Sequence, residues 1–274
     1  MKIYLNNKFL FLNNKETELF NSGLLSGYGV FETMRSYKGN IVYLDAHLER
    51  LIKSAKLLGL NFNYSKKYLE SVVKKSVNIE KFNDSYVKLL AFLGQDKTNI
   101  AIIVKRYNPF PEKKYNRGFK IRVSPYQWTP DPQLGRIKTL SRVGLELAYN
   151  RARKQGLDEA ILLNNKGSIV EGTRTNIFLV KNKKIITPSL ECGCLAGITR
   201  KVVFDLAKIN GIKIIEEKIN LKDLLAADEA FLTNSLLGIM PARDYKRKSR
   251  GPVTDFLIQE YKNILEKEKS CLKK

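Results

Sequence analysis

Cysteine and histidine are scarce in this sequence. Its 274 residues include three cysteines, Cys192, Cys194 and Cys271, and one histidine, His47. An odd number of cysteines with only one close pair argues against a disulfide framework. One Cys-x-Cys pair and one histidine also fall short of the roughly four ligands of a structural zinc site. We therefore expect free thiols and no bound metal.

Long apolar runs and a targeting segment are also missing. Runs such as residues 100–104 and 177–180 are far shorter than the roughly 20 apolar residues that cross a bilayer. Residues 1–7 lack the apolar stretch and the small-residue cleavage site of a signal peptide. The sequence thus predicts no membrane partner and, by default, a cytoplasmic location.

Acidic residues are few relative to basic ones. The chain has 27 Asp and Glu against 49 Lys and Arg, a formal net charge of +22. Such a charge attracts polyanions, but here the lysines are spread along the whole chain. No zinc-finger, basic-zipper or RNA-recognition pattern accompanies them. We expect no nucleic-acid partner, because a Lys- and Asn-rich bias of the source genome explains the charge equally well.

What is present indicates an α+β protein of two domains. The length and the 43% hydrophobic fraction fit a globular chain with about two domains. A hairpin signal over residues 2–12 precedes helical spacing over residues 44–60, and mixed strand and helix patterns follow. Two prolines between residues 107 and 117 indicate the boundary, so we predict α+β domains over 1–115 and 116–274.

Four separate stretches carry the chemistry. In order, they read GYGVFETMR (27–35) with LDAHLERL (44–51); IKTLSR (137–142); DEAILL (158–163) with IVEGTRTNIF (169–178); and GCLAGITR (193–200) followed by TNSLLGIMP (233–241). In this order and at this spacing they resemble the class IV aminotransferase family over most of the chain. The resemblance implies an enzyme of fold type IV, with a small N-terminal α/β domain, a larger C-terminal β-barrel-like domain with helices, and assembly as a homodimer.

The resemblance implies pyridoxal 5′-phosphate as the cofactor, with Lys138 as the catalytic lysine that carries it. An amine can do this only when partly neutral, and apolar surroundings with a nearby positive charge lower a lysine's pKa. Arg50 corresponds to the arginine that grips the cofactor phosphate, for which a guanidinium fork is well matched. Glu171 corresponds to the carboxylate that pairs with the pyridine nitrogen and keeps it protonated.

Two further places would complete the phosphate site. A helix start at Ile198 and Thr199 would offer backbone N–H groups and a hydroxyl to an anion. Asn234 and Ser235 occupy the position of the family's second phosphate-contacting loop. Taken alone, a charged or polar residue at any of these positions is most often an ordinary exposed one, so the prediction depends on the four stretches together.

The family contains branched-chain aminotransferases, D-amino-acid aminotransferases and aminodeoxychorismate lyases, which the fold does not distinguish. The TNSL wording of residues 233–236 resembles the lyases. The D-amino-acid enzymes have a tyrosine at the position of Phe31 and an arginine in the strand that here contains Lys88. Arg174 stands where the family commonly has a small residue. We therefore name Phe31, Lys88 and Arg174 as candidate substrate-binding residues, with Arg174 available to a substrate carboxylate.

These residues predict a 4-amino-4-deoxychorismate lyase, which releases pyruvate and leaves 4-aminobenzoate for folate biosynthesis. Two alternatives stay open. One is an aminotransferase acting on branched-chain or D-amino acids, in which Lys138 moves a proton between the substrate carbon and the cofactor. The other is a noncatalytic relative that keeps the fold and binds a ligand, against which the joint presence of Lys138, Glu171 and Arg50 argues.

Overall fold

The first part of the chain forms a hairpin, two helical turns and a four-stranded sheet. The computed structural model describes residues 1–5, 8–17, 22–95, 97–128, 134–244 and 250–270. The elements are β1 (Lys2–Leu5), β2 (Lys8–Phe11), α1 (Asn14–Thr17), α2 (Ser22–Leu25), β3 (Gly29–Tyr37), β4 (Asn40–Ile41), α3 (Leu44–Leu57), α4 (Lys66–Glu80), β5 (Asp84–Leu93) and β6 (Thr98–Arg106). The pair β1–β2 is antiparallel, as predicted, and the sheet has the antiparallel order β4-β3-β5-β6.

Helices α3 and α4 cover one face of this sheet. The helical spacing expected over residues 44–60 is confirmed, because the apolar positions of α3 are buried: Leu48, Leu51 and Ala55. On β3, Val30 and Met34 enter the same core, since every second residue of a strand shares a face. Glu32 lies between them and is fully buried, so its carboxylate requires partners inside the protein.

The second part of the chain forms an eight-stranded mixed sheet with helices around it. Its elements are α5 (Glu112–Arg117), β7 (Phe119–Gln127), α6 (Val143–Lys154), β8 (Glu159–Leu163), β9 (Ile169–Gly172), β10 (Asn176–Lys181), β11 (Lys184–Pro188), α7 (Ile198–Ile209), β12 (Ile214–Glu217), α8 (Leu221–Ala226), β13 (Glu229–Asn234), β14 (Gly238–Arg243) and α9 (Pro252–Ser270). The strand order is β12-β11-β10-β13-β14-β7-β8-β9, with parallel pairs β11–β12, β14–β7 and β7–β8. This mixture confirms the α+β class.

The eight-stranded sheet curls around its own core. Ile169 of β9 and Ile177 of β10 belong to one buried cluster, although β9 ends the sheet and four strands separate it from β10 in the strand order. Apolar side chains of strands that are far apart in the sheet order therefore pack against each other, as in a barrel-like layer. This curvature brings the turn after β9 beside the end of β13.

A short segment before α6 joins the second part of the chain to the first sheet. The Phe31 N–H donates to the Lys138 carbonyl at 2.9 Å, and the Leu140 N–H donates to the Gly29 carbonyl at 2.9 Å. This segment therefore runs as a short edge beside β3. The pairing holds the Lys138 backbone at the junction of the two sheets.

The boundary predicted after residue 115 falls inside α5, just before β7, and the division into domains stays a prediction. Sequence patterns did not identify α5, β11 or β14. These elements are short, with five or six residues each. Short strands depend on pairing within a sheet more than on their own residues, so the local sequence carries little signal for them.

Candidate active site

A cavity of about 370 Å³ opens between the two sheets. Its walls come from β3, β5, the segment before α6, β9 with the turn after it, the start of α7 and the loop after β13. All ten residues that the sequence analysis named line it: Phe31, Arg50, Lys88, Lys138, Glu171, Arg174, Ile198, Thr199, Asn234 and Ser235. The fold brings the predicted set together from distant parts of the chain, while the role of each residue stays a prediction.

Lys138 reaches the cavity next to an aromatic ring and two arginines. Its Nζ lies 4.9 Å from the centroid of the Phe31 ring. Burial, followed by the positive charges of Arg50 and Arg142, lowers the pKa of Lys138 to about 7. A lysine with this pKa is partly neutral at neutral pH, and only the neutral amine can act as a nucleophile or take up a proton.

Glu171 faces the same cavity from β9. The Leu195 N–H donates to its carboxylate at 3.1 Å, and the Asn176 amide donates at 3.2 Å. Burial raises the pKa of Glu171 to about 7, although the Leu195 N–H and the charge of Lys138 oppose the shift. A carboxyl in this state becomes a stable carboxylate when a cationic nitrogen is placed against it.

A cup of hydrogen-bond donors, called the anion cup below, lies at the start of α7. This helix begins at Ile198 without a side-chain cap, so backbone N–H groups of its first turn are available to a ligand. The Arg50 side chain is only 13% exposed, and its Nη1 donates to the Ala196 carbonyl at 2.8 Å. Thr199 and Ser235 add hydroxyls to the same cavity. Together these donors match the oxygens of a phosphate.

Glu32 anchors Arg50 from inside the core. Its carboxylate oxygens accept from Nε and Nη2 of Arg50, each at 2.7 Å, and one oxygen also contacts Nδ1 of His47 at 2.7 Å. Burial works against ionisation, but Arg50 and His47 outweigh it and lower the pKa of Glu32 to about 2. The Glu32 carboxylate therefore orients Arg50 and leaves some of the guanidinium donors for an anion.

A second wall of the cavity carries three cations. The Lys88 Nζ lies 4.5 Å, and the Arg142 guanidinium carbon 5.6 Å, from the centroid of the Phe31 ring. Burial, and then the charge of Arg142, lowers the pKa of Lys88. Arg174 pairs with Glu146 at 2.5 Å and is 44% exposed. Positive charge exceeds negative charge on this wall, as a carboxylate ligand requires.

The turn after β9 is held by a second buried carboxylate. Glu159 accepts hydrogen bonds from backbone and hydroxyl groups of residues 173–175, at 2.5 to 3.2 Å. From the cavity side, Arg142 Nη2 donates to the Thr173 carbonyl at 2.8 Å. The turn that presents Arg174 is therefore fixed from both sides.

Asn234 shapes its own loop. Its Oδ1 accepts from the Leu236 N–H at 3.0 Å and the Leu237 N–H at 2.8 Å, and its Nδ2 donates to the Arg174 carbonyl at 3.1 Å. The amide oxygen and one of the two Nδ2 hydrogens are thus committed within the protein. Of the two phosphate contacts predicted here, the Ser235 hydroxyl is better placed to meet an anion directly.

Sequence reasoning did not single out five polar residues of the site as functional: Glu32, His47, Arg142, Glu146 and Glu159. A signal existed for one pair, because His47 and Arg50 are three residues apart and share a face of α3. Glu159 lies in the DEAILL stretch quoted above, but no spacing there points to its partners, which lie 14 to 16 residues further along the chain. Its role depends on how β8 and β9 pair.

Metal ligands and membrane helices were expected to be absent. Within the described ranges, no group of three or more His, Cys, Asp or Glu side chains could hold a metal ion. Cys192 and Cys194 are buried free thiols, and Cys271 lies outside the described residues. No described helix is both long and apolar enough to cross a membrane.

Glu171→Gln is expected to stabilise the cofactor-free protein at about pH 8, because it removes an ionised carboxylate from a site that disfavours it. The folded-state pKa is about 7, above the ordinary 4.5. The folded state therefore binds the extra proton between these values, and stability falls as pH rises through that interval. Urea unfolding of both proteins across this range measures the difference.

The matched control for this prediction is Glu80→Gln on the exposed surface of α4. It is expected to leave unfolding unchanged at each pH. If Glu171→Gln is no more stable than the parent chain above about pH 7, its carboxyl does not titrate as described.

Comparison with known proteins shows several similar chains. The family model described as amino-transferase class IV matches residues 29–245. A Methanocaldococcus jannaschii protein with the provisional name branched-chain-amino-acid aminotransferase is 37% identical over 277 residues, covering 96% of this chain and 96% of that protein. The aminodeoxychorismate lyase of Bacillus subtilis is 32% identical over 256 residues, covering 87% of this chain and 85% of that protein.

A solved structure gives the same picture in three dimensions. The crystal structure of the branched-chain aminotransferase from Thermoproteus uzoniensis with norvaline superposes with a TM-score of 0.83 at 30% identity. The superposition covers 96% of this chain and 94% of the Thermoproteus uzoniensis chain. Both reaction types expected from the sequence therefore occur among similar proteins.

Proposed function

Because this chain belongs to the class IV aminotransferase family, whose members depend on pyridoxal 5′-phosphate, we propose that it moves the amino group of an amino acid to a 2-oxo acid. One observation carries the proposal. A lysine amine and a carboxyl, each with a pKa of about 7, share one cavity with an anion cup. Such groups are typical of proton transfer at neutral pH.

The cavity fits this cofactor. The uncapped start of α7, Arg50 and Ser235 would hold the phosphate. Lys138 would attach to the cofactor covalently, and Glu171 would pair with the ring nitrogen. When bound, the cofactor draws electrons from the substrate carbon and so stabilises the negative charge left by a departing proton.

Lys138 is the acid and the base of the proposed reaction. Once the substrate's amino group has displaced Lys138, the free lysine amine removes the proton from the substrate α-carbon. It then gives a proton back later in the reaction. A pKa of about 7 suits both steps, because the neutral and charged forms are then comparably populated. The hydrogen bond between the Lys138 carbonyl and Phe31 fixes the backbone during this exchange.

The cations of the second wall form the proposed site for the substrate carboxylate. Glu146 pairs with Arg174 at 2.5 Å but approaches Arg142 only at 4.0 Å. Lys88 and Arg142 are therefore the cations best placed for a carboxylate near Phe31. Arg174 would meet a carboxylate further out, where its side chain is half-exposed.

Arg142→Gln is expected to raise KM for the amino acid and the oxo acid by about 10- to 100-fold, since a charged hydrogen bond contributes about 1.5–3 kcal/mol. The turn stays held by Glu159, which accepts hydrogen bonds from residues 173–175. Steady-state kinetics measure the change. Arg151→Gln, on the exposed side of the same helix α6, is the control, and equal KM values for both variants would remove Arg142 from substrate binding.

A second candidate is the 4-amino-4-deoxychorismate lyase expected from the sequence. The comparisons support the aminotransferase better, with 37% identity over 96% of the chain against 32% over 87%. The lyase is favoured by one specific observation, the wall with three cations, because its substrate carries two carboxylates. The TNSL sequence of residues 233–236, which resembles the lyases, also favours this candidate.

Parallel assays separate these candidates. One supplies branched-chain amino acids or D-alanine with 2-oxoglutarate, and the other supplies aminodeoxychorismate and follows 4-aminobenzoate. Transamination without 4-aminobenzoate is the expected result, and 4-aminobenzoate without transamination would establish the lyase. A protein that binds no cofactor and yields neither product would be the noncatalytic relative.

We also propose that the working unit is a homodimer, the assembly that the family resemblance implies. Apolar side chains are exposed just before β3, with Leu25 72% and Tyr28 41% accessible. Burying them in an interface would be favourable. Light scattering on the purified protein gives the mass directly, and a monomer at micromolar concentration would contradict the proposal.

A further inference from the structure

His47 and Ser235 form a hydrogen-bonded relay beneath the anion cup. The Ser235 Oγ lies 3.2 Å from His47 Nε2, and His47 Nδ1 lies 2.7 Å from a carboxylate oxygen of Glu32. The imidazole is 1% exposed, whereas Ser235 lines the cavity. The relay therefore connects a buried titratable ring to a hydroxyl that faces the ligand.

The protonation of one ring nitrogen follows from its partner. The pKa of Glu32 is lowered to about 2, so its carboxylate is ionised and can only accept hydrogen bonds. His47 Nδ1 must therefore carry a proton. In the neutral ring Nε2 is then an acceptor, and the Ser235 hydroxyl must donate to it.

The hydrogen bond from Ser235 to His47 is compatible with an anion cup that holds no phosphate, but it competes with phosphate binding. A hydroxyl that donates to His47 turns its oxygen lone pairs toward other neighbours, including the cavity. A phosphate dianion has only acceptor oxygens, so it needs the Ser235 hydroxyl as a donor. That hydroxyl has a single proton, and it can be given to the phosphate only if Nε2 stops requiring it.

We propose that His47 is a positioning residue for the cofactor phosphate: it takes up one proton from solvent at Nε2 when the phosphate binds, and the Ser235 hydroxyl reverses its hydrogen bond. Nε2–H then donates to Ser235 Oγ, and Ser235 donates to the phosphate. The proton is the only species gained, and no bond to carbon or phosphorus changes. The proposal rests on the cofactor part of the proposed function and is independent of the reaction catalysed.

The charges around the ring agree with this coupling. Burial lowers the pKa of His47, Glu32 opposes that shift, and the positive charges of Arg50 and Lys138 add to it. These groups come from β3, α3 and the segment before α6. In the empty cup the ring is therefore neutral at neutral pH. A phosphate brings negative charge to the cup and favours the imidazolium.

The direction of the pH dependence follows by linkage. The pKa of His47 is higher with phosphate bound than without it. The extra affinity is fully present below the lower of the two values and is lost as pH rises through the higher one. The protein consequently holds phosphate less tightly on the alkaline side, even where the phosphate is already a dianion.

Because His47 is the only histidine, selective histidine labelling gives an NMR spectrum with one imidazole. The probe is pyridoxine 5′-phosphate, which has the phosphate but no aldehyde and so leaves the Lys138 amine unreacted. The titration midpoint of the ring is expected to rise by at least about one pH unit with the probe bound, a tenfold change in proton affinity. An unchanged midpoint would overturn the proposal.

Two variants test the serine link. Ser235→Ala is expected to lose most of the midpoint shift, and Ser235→Thr, which keeps a hydroxyl, to retain it. A full shift in Ser235→Ala would show that the hydroxyl does not transmit the effect. Calorimetry in buffers of different ionisation enthalpy at about pH 7, above the second pKa of about 6 of a phosphate ester, adds a second readout. Proton uptake is expected for the parent chain and is absent in His47→Gln if His47 is its source.

Failure of the proposed function is distinguishable from failure of this inference. A midpoint shift without transamination of any substrate would support the His47 relay and contradict the aminotransferase proposal. Transamination with an unchanged His47 midpoint would support the aminotransferase and contradict the relay.

Discussion

Lys138→Ala is expected to lower turnover by at least about 10³-fold, because it removes both the proposed attachment point of the cofactor and the group proposed to move the proton. The cavity around it stays intact, since the backbone hydrogen bonds between this segment and β3 do not involve the side chain. The cofactor is therefore still expected to bind through its phosphate. What disappears is the covalent link.

Mass spectrometry after borohydride reduction measures that link. The parent chain is expected to gain the mass of one reduced cofactor at Lys138, and Lys138→Ala to gain none. Lys154→Ala, an exposed lysine at the end of α6, is the matched control and should behave as the parent. Labelling of a different lysine in the parent chain would move the attachment point and remove the basis of the mechanism.

Glu32→Gln is expected to destabilise the protein by about 3–5 kcal/mol, the usual effect of removing one partner from a buried ion pair. The neutral amide leaves Arg50 and His47 without the carboxylate that both contact at 2.7 Å. Urea unfolding at neutral pH measures the change. Glu70→Gln, which breaks the exposed pair with Lys74 on α4, should stay within about 0.5 kcal/mol of the parent.

Acid provides a second check on Glu32. Its folded-state pKa of about 2 lies below the ordinary 4.5. Such a group stabilises the folded state above its unfolded pKa and loses that contribution as pH falls through the folded value. The difference between the parent and Glu32→Gln should therefore shrink between about pH 4.5 and pH 2, and a constant difference would mean that the carboxylate charge is not the cause.

The stability of Glu32→Gln is also expected to depend on whether the cofactor is bound. In Glu32→Gln the Arg50 guanidinium lacks its buried carboxylate, so the phosphate that it is proposed to bind would become its main anionic partner. We expect the cofactor to recover part of the lost stability, because a ligand that binds only the folded state stabilises it. Thermal unfolding with and without the cofactor compares the two proteins.

Much of the site could be predicted because its chemistry depends on residue types in short stretches. Lys138, Glu171 and the start of α7 each lie within a stretch of ten residues or fewer that resembles the family. The N-terminal hairpin and the apolar face of α3 follow from spacing alone. The substrate was harder to predict from the sequence. The comparisons support the aminotransferase alternative better than the lyase, which was the main prediction.

The residues that hold the site were harder to predict, for a physical reason. Glu32 could be recognised as unusual only once β3 was known to bury the face that it shares with Val30 and Met34. Arg142 follows Lys138 so closely that it reads as one more basic residue in a chain rich in them. Its importance comes from its distance to the Phe31 ring and the Thr173 carbonyl, which no local pattern encodes.

The sequence by itself determined the family and the cofactor, because these depend on which residues are present and in what order. Only the tertiary structure decided how the predicted site residues are arranged. The pairing of the Lys138 segment with β3 brings the amine to Phe31 and Arg50, and the packing of α3 against the loop after β13 joins His47 to Ser235 across 188 residues. Burial and charge, which set the pKa values of Lys138, Glu171 and Glu32, exist only after the two sheets have closed around the cavity.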